Sequence, residues 1–80
     1  MTYQELDSVV LVRDLPIHAL RSGDAGTIVH VHNAEAFEVE FICASGATAA
    51  VIELTSADLR PATDDDQLSV RRRTATALAK

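Results

Sequence analysis

Apolar and polar positions alternate with a period of two along much of residues 8–54, the pattern of half-buried strands rather than helices. Ser8-Val9-Val10-Leu11-Val12-Arg13 is a β-branched apolar run between Asp7 and Asp14, and predicts a strand over 8–13 buried on both faces. Thr27-Ile28-Val29-His30-Val31-His32 alternates and predicts a second strand over 27–32, with Thr27, Val29 and Val31 inward. Phe37-Glu38-Val39-Glu40-Phe41 predicts a third over 37–42 with Phe37, Val39 and Phe41 inward. Residues 48–54 make a fourth, and Arg60-Pro61-Ala62 a short edge strand. The expected core is Val9, Leu11, Leu20, Val29, Val31, Phe37, Val39, Phe41, Ile52, Leu54 and Leu59.

Turn chemistry separates these runs. Pro16 destroys any period across residues 14–22, which read as a long ordered loop tacked down by Leu15, Ile17 and Leu20. Gly23-Asp24-Ala25-Gly26 is a turn in which Gly23, Gly26 or both take positive φ. Thr55-Ser56-Ala57-Asp58 has the capping-box form and predicts a single helical or 3₁₀ turn that drops Leu59 into the core. Short strands at this spacing make the fold class all-β, a small barrel or sandwich of about five antiparallel strands.

Composition changes after Ala62, dividing the chain into a domain over 1–62 and a charged tail over 63–80. Thr63 is a candidate N-cap, Asp64, Asp65 and Asp66 occupy the first turn, and Arg71, Arg72, Arg73 and Lys80 lie toward the other end. That polarity suits a helix macrodipole. Leu68, Ala75, Leu78 and Ala79 offer little to bury, so a helix and a flexible tail both stay open.

A chain of 80 residues holds one core, and its aromatics are only Tyr3, Phe37 and Phe41. So thin a core favours docking on a protein partner or a homo-oligomer. Cys43 has no partner for an intramolecular disulfide, which points to a reducing cytoplasm. The N-terminal residues lack signal-peptide character, and the longest apolar run, Val9–Val12, falls far short of the ~18–20 residues of a membrane span. The expectation is a cytoplasmic protein with no membrane association. Net charge is −5, with nine acids against three arginines over residues 1–62, so the domain should repel nucleic-acid backbones.

Little of this sequence suggests chemistry. His30 and His32 point to the same side of a strand, but two imidazoles fall short of the three or four ligands a metal needs. Even-offset pairing instead sets them across from Glu40 and Glu38 as outward pairs, with a two-residue shift preserving a His30–Glu38 contact. Glu38 and Glu40 share an exposed face without the desolvation a glycosidase pair requires. Ser8, Ser22, Ser45, Ser56 and Ser69 lack a nucleophile context, and Gly23–Gly26 is too short for a phosphate loop. Cys43 has no basic neighbour to lower its pKa and reads as a small half-buried residue. Arg71-Arg72-Arg73 is shorter than a nucleic-acid patch and reads as a solvated cluster pairing with the tail acids or the acidic body. No catalytic, cofactor-binding or metal residues are assigned, and no cofactor is expected.

Taken as a set, Asp7–Pro16, Leu20–Val29, Phe37–Phe41 and Leu54–Pro61 resemble a family of short bacterial and archaeal proteins catalogued as a domain of unknown function. The resemblance covers residues 6–61 and implies an SH3-like barrel without assigned catalytic residues. More distantly, Gly23-Asp24-Ala25-Gly26-Thr27-Ile28-Val29 is similar to the loop-strand unit of KOW-type barrels, and to the barrel of the nitrile hydratase β subunit and its small maturation partners. The chain departs from nucleic-acid-binding members in having no Lys or Arg beside the turn after Arg21, and glutamates on its central strand. The function expected is a non-catalytic protein-interaction or accessory module, with a KOW-like nucleic-acid-binding module as the alternative.

Overall fold

A computed structural model describes residues 2–73. Five antiparallel strands form one sheet in the order β4-β3-β2-β1-β5. They are β1 (Ser8–Leu11), β2 (Ala25–Asn33), β3 (Ala36–Ile42), β4 (Thr48–Thr55) and β5 (Leu59–Pro61). The first four make a meander, and β5 returns to pair with β1 after one 3₁₀ turn at Ser56–Asp58. The fold is all-β, as the alternation implies.

One inner face carries the core. Phe37, Val39 and Phe41 point inward from β3 and oppose Leu54, Ile52 and Ala50 of β4. Val9 and Leu11 of β1, Leu59 of β5, and Leu15 and Leu20 of the β1–β2 loop complete most of it. Tyr3, outside every strand, is also buried and meets the Phe37 ring edge-on, centroids 5.3 Å apart. Nothing in the local pattern around Tyr3 signals this, because it contributes no strand of its own.

The inward set of β2 differs from strict alternation. Ile28 is completely buried, whereas Val29 is 37% exposed. Ile28 pairs with Val39 and His30 with Glu38, so Val29 is an extra residue in a β-bulge; a second irregularity falls between Val31 and Asn33. One inserted residue exchanges the faces of the strand. Gly26 and Ile28 therefore face inward before the bulge, while Val31 packs against the core after it. Ile17 also departs from expectation at 89% exposed. Only Leu15 and Leu20, which pair across the neck of the loop, reach the core; Ile17 sits at the tip, in the 3₁₀ turn Pro16–His18.

Four turns close in the same way, an aspartate carboxylate accepting the backbone N–H three residues earlier. Gln4 donates to Asp7, Arg21 to Asp24 and Thr55 to Asp58, each at 2.9 Å, and Thr63 donates to Asp66 at 2.7 Å. The third residue is left-handed in two of them, Leu6 at φ 74° and Gly23 at φ 98°. Of the two glycines in the Gly23–Gly26 turn, Gly23 takes the positive φ; Gly26 lies in β2.

Asp58 shows what such a carboxylate contributes. It accepts from Thr55 N–H and from the Thr55 hydroxyl at 3.1 Å, and Arg13 Nε reaches it at 2.6 Å. Burial by itself would raise the Asp58 carboxyl, but the Thr55 N–H, the Arg13 guanidinium and the Thr55 hydroxyl together hold it below the ordinary carboxylate range. A depressed folded-state value gives stability that is full above the unfolded pKa, about 4, and is lost as pH falls through the folded one. Asp58→Ala should cost about 1 kcal/mol at pH 7. Urea melts of the two proteins should converge as pH drops below about 4; a pH-independent difference would show that the carboxylate charge is not the cause.

Candidate interaction site

The histidines face outward as expected, but the bulge at Val29 replaces the even-offset pairing with Glu40 and Glu38. His30 and His32 are exposed, with ring centroids 4.7 Å apart, and His32 Nε2 lies 2.9 Å from Glu38 Oε2. Register pairs His30 with Glu38, the two-residue shift, and Glu38 in turn with Glu53. Two like charges directly opposite repel, and the His32 contact offsets part of that. Glu40 reaches no histidine; Thr48 Oγ1 donates to its carboxylate at 2.7 Å. Among the described residues no three His, Cys, Asp or Glu side chains gather as a metal ion requires. Cys43 is half-buried at the β3–β4 turn, where its N–H donates to the Ala47 carbonyl.

The tail supplies the feature that sequence reading missed. No helix forms over residues 63–73, although Thr63 and Asp66 do make the cap, with the Thr63 N–H and hydroxyl both donating to Asp66. Arg60 grips the same carboxylate from both nitrogens, at 2.9 and 2.7 Å. A cap without an apolar face to bury does not propagate a helix. The Arg60 guanidinium, with the Thr63 N–H and hydroxyl, holds the Asp66 carboxyl far below the ordinary range. Ala75, Leu78, Ala79 and Lys80 lie outside the described residues.

Residues 67–73 then run back over the sheet to a second anchor. Arg71 Nε donates to Asp24 Oδ1 at 3.1 Å, its Nη2 reaches Asp24 Oδ2, and the same nitrogen lies 3.3 Å from the Ala19 carbonyl. Arg73 Nη2 donates to the His18 carbonyl at 2.7 Å. Arg71 is thus half-buried rather than a solvated member of its cluster, although pairing with the acidic body was one expected outcome. The hydrogen bond from Arg71 to Asp24 raises the guanidinium further above its ordinary value.

A groove of ≈ 1070 Å³ lies between this strap and the outer face of the sheet. Val10 forms part of its floor; it is buried but belongs to no core contact of the inner face. Ile42 lines the groove from β3, and Leu68 and Val70 line it from the strap. The last two are 81% and 83% exposed, so paired charges at the two ends hold the strap, and its apolar residues remain available.

Among the described residues no helix is long and apolar enough to cross a membrane. No curated protein and no solved structure matches the chain. A family model described as Domain of unknown function (DUF4926) matches residues 5–61, from just before β1 to the end of β5. That span contains all five strands and two of the four aspartate-closed turns in full, Arg21–Asp24 and Thr55–Asp58, leaving the strap outside it. On this match the chain belongs to the DUF4926 family.

Proposed function

We propose that the sheet is a small SH3-like barrel and that the protein is a non-catalytic, cytoplasmic interaction or accessory module, with a protein partner bound along the groove under residues 63–73. The meander closed by a short β5 on β1, and the bulges that bend β2, support the barrel reading. One observation carries the interaction reading: a groove with a buried valine on its floor and exposed Ile42, Leu68 and Val70 along its margins. Apolar side chains lining one concave surface mark a docking site more often than scattered ones do. The KOW-like alternative has less support, because Asp24 in the loop-strand unit neutralises Arg71 and glutamates occupy the outer face.

A photo-cross-linking residue at Ile42 or Leu68, expressed in the native cell, should yield one discrete heteroprotein adduct, and none from Glu5. A gel shift at low salt should show no retardation of DNA or RNA at tens of micromolar protein. Retardation lost on Arg71→Ala, or adducts only between copies of the chain, would overturn the reading.

A further inference from the structure

The Arg71 contacts describe a receptor as well as an anchor. Asp24 is fixed before any guanidinium arrives: its backbone N–H donates to the Arg21 carbonyl, its carboxylate accepts the Arg21 N–H, and its carbonyl accepts the Leu11 N–H of β1 at 2.8 Å. Gly23 adds a bond to the Leu11 carbonyl, also 2.8 Å, pinning the turn to the sheet from both sides. The second acceptor belongs to Ala19, a non-glycine residue in left-handed conformation at φ 56°. That conformation caps the 3₁₀ turn Pro16–His18, with the Ala19 N–H donating to the Pro16 carbonyl, and so fixes where the Ala19 carbonyl lies. Carboxylate and carbonyl together present three oxygens to one planar donor, a geometry that suits guanidinium and not ammonium.

We infer that Asp24 and the Ala19 carbonyl form an arginine-recognition pocket at the end of the groove. Arg71 fills it in cis, and an extended, arginine-bearing segment of a protein partner takes it in trans. The inference rests on the groove being the docking surface and names what is read there. Charge complementarity identifies the occupant: Asp24 is only 20% exposed in its side chain, and the residue the chain itself supplies to it is an arginine from an extended segment. The Arg60–Asp66 anchor stays in place during the exchange, since both groups lie beside the hinge of the strap. The Arg71 and Arg73 contacts, 47 and 55 residues distant in sequence, are the ones that open. A tethered occupant competes at an effective concentration of order millimolar, so the strap suppresses weak arginine-bearing competitors.

The probe is a blocked synthetic peptide, Gln-Leu-Ser-Val-Arg-Arg-Arg, the sequence of residues 67–73, titrated into the full chain by NMR. It should bind the Arg71→Ala protein at least tenfold more tightly than the unaltered one, shifting the amides of Ala19, Gly23 and Asp24. Adding Asp24→Asn should weaken binding at least tenfold. Citrulline at the peptide's first arginine, which keeps the shape and removes the charge, should do the same without touching the protein's fold. Equal affinity for the unaltered and Arg71→Ala proteins overturns the inference, as does no binding at millimolar peptide or indifference to citrulline. If citrulline is tolerated but Val10 and Ile42 still shift, the arginine pocket fails while the groove reading stands. Shifts confined to another surface would count against both.

Discussion

Phe37→Ala is expected to remove a large share of the protein's folding stability. Phe37 has no solvent exposure, opposes Leu54 across β3 and β4, and carries the edge-on contact with Tyr3. Truncating a buried phenylalanine costs about 3–5 kcal/mol through lost transfer energy and the cavity left behind. A domain of this length has roughly 4–12 kcal/mol in total, at about 0.05–0.15 kcal/mol per residue. Urea unfolding should show the midpoint collapsing with little change of slope. Tyr3→Ala should cost less but in the same direction, and the two changes should be non-additive because the rings touch. A Phe37→Ala loss below about 1.5 kcal/mol would mean that the core is not centred on this ring.

Gly26→Ala is the second large effect, for a reason unlike that at Gly23. A Cβ on Gly26 would stand 2.7 Å from Val39 Cγ1, 3.0 Å from the Glu40 carbonyl oxygen and 3.0 Å from Phe41 Cε1. Val39 is a stiff β-branched side chain without exposure, and the Glu40 oxygen is backbone, so neither yields cheaply. Overpacking of this kind costs about 1–3 kcal/mol, against which the lost glycine flexibility returns under 1 kcal/mol. Val39→Ala in the same chain should relieve the clash, so the double change should cost less than the sum of the single ones. Gly23→Ala meets open space and loses stability through its φ of 98° alone, so Val39→Ala should not rescue it. Equal rescue of both would show that close approach is not what reserves position 26 for glycine.

What the sequence by itself determined is what neighbouring residues decide. β-Branched and aromatic alternation placed five strands within a few residues of their ends, and Phe37, Val39 and Phe41 faced inward because β3 runs unbroken across the inner-face pairings with β4. Thr55 and Asp58 closed their turn because cap and carboxylate lie three residues apart, whereas His30 faces outward beyond an inward Ile28 only because the bulge at Val29 intervenes. The tertiary structure decided everything that depends on partners distant along the chain. Cross-strand fit inserted Val29 as a bulge and so gave the inward place to Ile28; alternation within β2 carries no record of which residue will be the extra one. The same fit turned Gly26 from a turn residue into the floor beneath Val39. Tyr3 is buried where its ring meets Phe37 of β3, and Val10 lies on the floor of the groove that the returning strap borders. Asp24 and Arg71, 47 residues apart, meet only once the sheet has closed. A short-range pattern records the cost of each local conformation, whereas the choice among cheap local states is made by long-range packing and charge, which is where the candidate site lies.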